Sequence, residues 1–277
     1  MKIISFSLGA VVLLASTVLT AGPALAAPPS NDTYDGRVSV PALPFTDERS
    51  TLGATTDAED SAINASCGAP VTGASVWYEY VAPSAGAVLV DVSASDYSTG
   101  VLVATGSPGS WSFVTCGARV AAWQATAGTA YAVVVFDDQR DGPDAGGNLV
   151  LSMSVTELPT IEATVDAAGT FNGVTGEAML TGTVRCTGER AEGILDITLT
   201  QRIGNLKVLG FGGTPVTCDG AVRPWSALLA SPNGYFDRGE ALAAVTANVC
   251  TDTQVCGETY LVEQPTRLRS AEVESRS

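Results

Sequence analysis

Beyond one long apolar stretch at the amino end, the hydrophobic residues fall in short runs, often with period two, separated by turns rich in glycine and proline. Period two sends alternate side chains to opposite faces of a strand. In the run 87–92 it places Val88, Val90 and Val92 on one face. The segment Val76-Trp77-Tyr78-Glu79-Tyr80-Val81 joins aromatic to β-branched residues, which favour a pleated surface. Its alternation turns Val76, Tyr78 and Tyr80 toward a core and Trp77 and Glu79 the other way. Val101-Leu102-Val103 precedes the turn cluster Gly106, Pro108 and Gly109. Further strands at 131–136 and 149–155 complete a first module over residues 31–156.

Glu157-Leu158-Pro159-Thr160 is a junction short enough to keep two modules near each other. The same grammar then resumes over residues 160–265. Ile161, Ala163 and Val165 alternate, as do Ala178, Leu180, Gly182 and Val184, then Leu195, Ile197 and Leu199. The alanines of 239–249 also suit a helix, yet the alternation of Ala243, Val245, Ala247 and Val249 predicts a strand. Tyr260 and Val262 face inward on a last strand, and 266–277 reads as a flexible mixed-charge tail. The predicted fold is all-β, with two disulfide-stapled β-sandwich modules.

The amino-terminal stretch changes the compartment. Lys2, the apolar run 8–19 and the small residues around Ala24-Leu25-Ala26 have the order of an export signal over residues 1–26, cut before Ala27. The expectation is a secreted, extracellular protein with no stable membrane insertion after cleavage, released rather than anchored. Six cysteines remain, and an oxidising compartment favours disulfides over metal thiolates. Fifteen pairings are formally open; keeping each bridge inside one module selects Cys67–Cys116, Cys186–Cys218 and Cys250–Cys256.

Charge and composition exclude several chemistries. With 29 acidic and 14 basic residues, the net charge of −15 opposes nucleic acids and anionic bilayers. The sequence has no histidine, which removes Ser-His-Asp and Cys-His nucleophilic systems and histidine zinc sites. No GxxxxGK phosphate loop is present. Paired carboxylates remain available for glycoside hydrolysis, with Glu79 among Trp77, Tyr78 and Tyr80 as one candidate. The same alternation gives Glu79 a plain strand role. Trp111, Trp123 and Trp225 are read as buried or partly buried core residues.

The densest acidic segment is Asp137-Asp138-Gln139-Arg140-Asp141-Gly142-Pro143-Asp144. Bent by Gly142 and Pro143, it offers Asp137, Asp138, Asp141 and Asp144 to a calcium ion, which takes roughly six to eight oxygen ligands. The alternative is a solvated loop partly neutralised by Arg140. Asp96 is a candidate turn cap or binding edge, beside Tyr97.

A family resemblance rests on Pro29-Ser30-Asn31-Asp32, Leu43-Pro44-Phe45-Thr46, Thr55-Thr56-Asp57-Ala58, Ser75-Val76-Trp77-Tyr78-Glu79-Tyr80, Pro83-Ser84-Ala85-Gly86 and the run 95–102. In this order they make the first module resemble the bacterial pre-peptidase C-terminal domain. The whole chain also resembles a two-module family of secreted actinobacterial proteins with no assigned function. The first resemblance implies an accessory or recognition role, since such modules accompany secreted hydrolases and some relatives bind collagen or polysaccharide. The residues alone offer Asn31 and Asp32 with Asp57, Glu59 or Asp60 as a second oxygen-rich cluster; the resemblance implies a calcium site at Asn31, Asp32 and Asp57, although the family's upstream acidic ligands have no counterpart here. The combined expectation is a secreted, non-catalytic protein recognising an extracellular glycan or protein. An extracellular structural protein and a carboxylate-dependent hydrolase are the alternatives.

Overall fold

The computed structural model describes residues 27–67, 72–142 and 146–271; the expected leader lies outside them. Nine strands build the first module among these residues: β1 (Val38–Val40), β2 (Phe45–Ser50), β3 (Gly73–Val81), β4 (Gly86–Asp91), β5 (Thr99–Ser107), β6 (Ser110–Ala118), β7 (Val120–Ala125), β8 (Ala130–Asp137) and β9 (Asn148–Thr156). They form a four-stranded sheet, β2-β9-β4-β7, facing a five-stranded sheet, β1-β3-β8-β5-β6. Val76, Tyr78 and Tyr80 point between the sheets with Val88, Val90 and Val92, as the alternation predicts.

The outer face of the five-stranded sheet is also covered, so β8 is buried on both sides. That accounts for the unbroken apolar run 131–136, the pattern of a strand with no solvent face. Its cover is a short helix, α1 (Ala58–Asn64), followed by a 3-10 turn, Ala65–Cys67. Asp57 caps α1, accepting from the backbone N–H groups of Glu59 and Asp60, while Asp60 accepts from that of Asp57. This reciprocal box satisfies donors that a helix start otherwise leaves open. Ile63 then packs with Trp77, Leu102, Val134 and Phe136 in a second, outer core. The Cys67–Cys116 disulfide ties the cover to β6.

Among the described residues eight strands form the second module: β10 (Ile161–Ala163), β11 (Ala168–Phe171), β12 (Ala178–Cys186), β13 (Ala191–Ile203), β14 (Leu206–Thr217), β15 (Val222–Leu229), β16 (Gly239–Thr251) and β17 (Tyr260–Ser270). They make one sheet with the path β10-β12-β11-β17-β16-β13-β14, and β15 pairs with β12. The sheet wraps around a single core and meets itself where Phe211 and Ala230 exchange backbone hydrogen bonds of 2.9 and 3.0 Å. The alanine-rich segment is indeed strand: Leu195, Ile197 and Leu199 of β13 oppose Ala247, Val245 and Ala243 of β16. Small residues face large ones, filling a narrow interior without overpacking. Disulfides link Cys186 to Cys218 and Cys250 to Cys256, and all six cysteines are bonded.

The last strand corrects one boundary. Residues 266–270 were expected in the flexible tail, but β17 runs to Ser270 and pairs in parallel with β11. Leu268 is fully buried and Thr266 nearly so. Arg267, Arg269 and Ser270 around it masked the inward Leu268 in the sequence pattern. No helix among the described residues is long and apolar enough to cross a membrane.

Only four residues separate β9 from β10, and the second module grips them. Thr160 N–H donates to Thr187 Oγ1, and Thr187 N–H to the Thr160 carbonyl. Pro159 is buried, and a Cβ on Gly257 would lie 2.0 Å from the Pro159 carbonyl oxygen. Gly257→Ala should therefore push the joint apart and destabilise the protein by about 1–3 kcal/mol, the usual cost of overpacking. A lowered urea midpoint, together with a changed radius of gyration in solution scattering, checks this.

Candidate functional site

The carboxylates singled out by sequence are held mainly as local acceptors. Asp137 is buried at the end of β8, accepting from the N–H groups of Gln139 (2.7 Å) and Gly146 (2.8 Å). Asp138 accepts from the Arg140 N–H and also meets its guanidinium at 3.4 Å. Asp141 reaches away to the Ser98 N–H at 2.7 Å. Asp144 lies outside the described residues. Asp96 holds Asn148 through both its backbone and side-chain N–H groups.

The amino-terminal trio is similarly occupied. Asn31 is buried; its amide donates to the Trp77 carbonyl and its Oδ1 accepts from Arg49 at 2.6 Å. Asp32 accepts from the N–H and hydroxyl of Thr55. Asp57 is the helix cap. Among the described residues, no group of three or more acidic or cysteine side chains has a metal-binding arrangement.

Arg49 also donates to Asp47 at 2.5 Å, and Asp47 accepts from the Tyr78 hydroxyl at 2.8 Å. Burial pushes the Asp47 carboxyl up, but these hydrogen bonds outweigh it and hold the group below the ordinary carboxylate range. Burial, reinforced by Asp47, pushes the Tyr78 hydroxyl well above its usual value. Glu79, the hydrolase candidate, accepts from Arg37 at 2.9 Å and Tyr34 at 3.3 Å on the outer face. Trp111 packs edge-on against Tyr34, and its indole N–H donates to Glu59 at 2.8 Å.

In the sequence Asp60 stands only as an alternative to Asp57 beside Asn31 and Asp32, and its short helix gives no strong periodic signal. It is buried, accepting from Trp77 Nε1 and from the Asp57 N–H, both at 2.7 Å. Burial, joined by the charges of Asp57 and Asp32, pushes its carboxyl up to about 7. The native state then retains a proton that the unfolded chain releases near the ordinary value of 3.8. This contribution to stability is complete below that value and falls away as pH rises toward 7. Urea midpoints across this interval should decline in the wild type, and Asp60→Asn should flatten that decline.

The concave surface lies between the modules. A crevice of about 1220 Å³ opens between Cys116–Gly117 and the end of the second sheet, including Glu192, Asn248, Asp252, Gln254 and Cys256. A narrower limb of about 330 Å³ shares Cys116, Gln254 and Cys256 and reaches Trp123, Leu158 and Glu258. A third, of about 710 Å³, shares Leu158 and Glu258 and runs beside Glu157, Glu162 and Tyr260. Glu157, Glu162, Glu192 and Glu258 are exposed, and none makes an ion pair or side-chain hydrogen bond among the described residues. Trp123 is 4% exposed and its Nε1–H finds no acceptor. No local motif unites these positions: they come from β6, β7, the junction and five segments of the second module.

No family model matches the chain, and no curated protein matches it. Among solved structures it is similar to a Parabacteroides merdae β-glucuronidase with glycerol in its active site, at 11% identity, 70% of this chain, 27% of that chain and a TM-score of 0.26. It is also similar to Bifidobacterium dentium β-glucuronidase complexed with coumarin-3-O-glucuronide, at 11% identity, 72% and 40% coverage and a TM-score of 0.26. For a GH2 β-galacturonidase from Eisenbergiella tayi bound to glycerol the values are 13%, 69%, 35% and 0.24. The chain thus spans well under half of each of these structures, and likeness at such TM-scores carries no argument about function.

Proposed function

We propose that this is a secreted, non-catalytic recognition protein for an extracellular glycan or protein, and that its first module is kin to pre-peptidase C-terminal domains. The observation that carries the reading is the use of the candidate carboxylates: Asp32, Asp57, Asp96, Asp137 and Asp141 all accept from backbone N–H groups. Glu79 is tied to Arg37. Carboxylates committed in this way position loops, whereas hydrolysis requires two of them flanking one bond. The acceptors and three disulfides give stiff loop ends, which lowers the ordering cost of binding.

The test is binding of the oxidised protein, residues 27–277, to a panel of glycans and matrix proteins, with and without calcium. Saturable binding without chemical conversion is the expected result. Conversion abolished by replacing one carboxylate would overturn the proposal in favour of an enzyme. Silence across the panel would overturn it in favour of a structural role. Calcium-dependent protection of the loop 137–144 from proteolysis is the expected sign if calcium assists binding there.

A further inference from the structure

We propose that the inter-module crevice binds an extended, lysine- or arginine-rich polypeptide segment of an extracellular partner. This rests on the recognition reading and names the partner's chemistry. Three features select it. Four carboxylates without partners, Glu157, Glu162, Glu192 and Glu258, line the connected limbs, and no lysine or arginine lines them among the described residues. A crevice of one charge sign between low-dielectric walls concentrates ligands of the opposite sign.

The limbs also follow one another around the junction, sharing lining residues at each step, which suits an extended chain better than a compact ligand. Finally, Trp123 is among the residues that line the narrow limb, and its buried indole N–H has no acceptor among the described residues. A buried donor of this kind calls for one, and a peptide carbonyl supplies it while neighbouring cationic side chains meet the glutamates. Sugar stacking fits less well. Trp123 is packed with Tyr131 at a centroid distance of 5.4 Å, and Tyr260 packs against the second core, so neither offers an open ring face.

The experiment measures fluorescence anisotropy of a labelled peptide of alternating lysine and glycine on the full disulfide-bonded protein. Binding should weaken with added salt. Glu192→Gln/Glu258→Gln should lower affinity about five- to tenfold at low salt, a fold-change consistent with removing two solvent-exposed ion pairs. Asp35→Asn/Glu263→Gln changes net charge equally at exposed positions away from the crevice and should have less than about a twofold effect. The indole N–H resonance of Trp123, assigned by its loss in Trp123→Phe, should shift on titration.

Equal losses in both double variants would reduce the binding to diffuse attraction and overturn the assignment. Oligochitosan binding as tight as the peptide's, with the same sensitivity, would overturn a polypeptide partner in favour of charge alone. Binding of a neutral glycan at the crevice, with none of the peptide, would overturn this inference yet leave the recognition reading standing. No binding by either would overturn both.

Discussion

Trp77→Ala should destabilise the first module by about 3–5 kcal/mol, the range for truncating a large aromatic residue in a packed interior. Trp77 is fully buried beneath α1, packed among Ile63, Leu102, Val134 and Phe136, with Tyr34 and Trp111 at its edge. The truncation does two separable kinds of damage. It opens a cavity between sheet and cover, and it removes the N–H that Asp60 accepts at 2.7 Å. Trp77→Phe isolates much of the second effect: a ring remains, but the buried carboxyl loses a donor, at a cost of about 1–3 kcal/mol. Urea unfolding of both variants, followed by tryptophan fluorescence and far-ultraviolet circular dichroism, checks the order. Near-wild-type stability of Trp77→Ala would mean that the cover does not share the cooperative unit of the sandwich.

The Trp77 environment also shows where sequence reading reached its limit. Strand alternation correctly set Trp77 opposite Val76 and Tyr78, because face is a local property of extended backbone. What covered that face was not legible. Helix α1 is seven residues long, with Ile63 as its buried apolar anchor, and its decisive features are two aspartates exchanging backbone hydrogen bonds. Those aspartates read equally well as metal ligands. Asp137, Asp138 and Asp141 posed the same ambiguity, since a carboxylate that ends a strand by accepting N–H groups has the composition of one awaiting a cation. The cysteine pairs, by contrast, followed from keeping crosslinks within modules. The crevice was illegible for another reason: Trp123, Glu192 and Glu258 meet through the packing of two modules, which no periodicity encodes.

The second large effect concerns the seam of the wrapped sheet. Continuing the antiparallel register beyond Phe211 and Ala230 sets Pro215 opposite Ser226 and Pro224 opposite Thr217. Proline has no N–H, so two successive bonding positions each lose a donor. The prolines instead occupy positions where each strand pairs with its other neighbour: Pro215 opposes Ile194 and Pro224 opposes Thr183. Among the described residues, β14 and β15 accordingly share no ladder beyond the Phe211–Ala230 bridge. The far end is held by Cys186–Cys218 and by the Gly220 N–H donating to the Cys186 carbonyl. This bridge spans 32 residues, for which the loop-closure relation gives about 4 kcal/mol. Cys186→Ala/Cys218→Ala should lower stability by about that amount, with its largest loss of amide-exchange protection at 183–186 and 216–224. The Cys250–Cys256 bridge encloses a far shorter loop, six residues in separation, and its removal should cost about 2 kcal/mol by the same relation. If the two double variants unfolded at the same urea concentration, or if protection at the seam were unchanged, the disulfide would not be what holds the unpaired ends of β14 and β15 together.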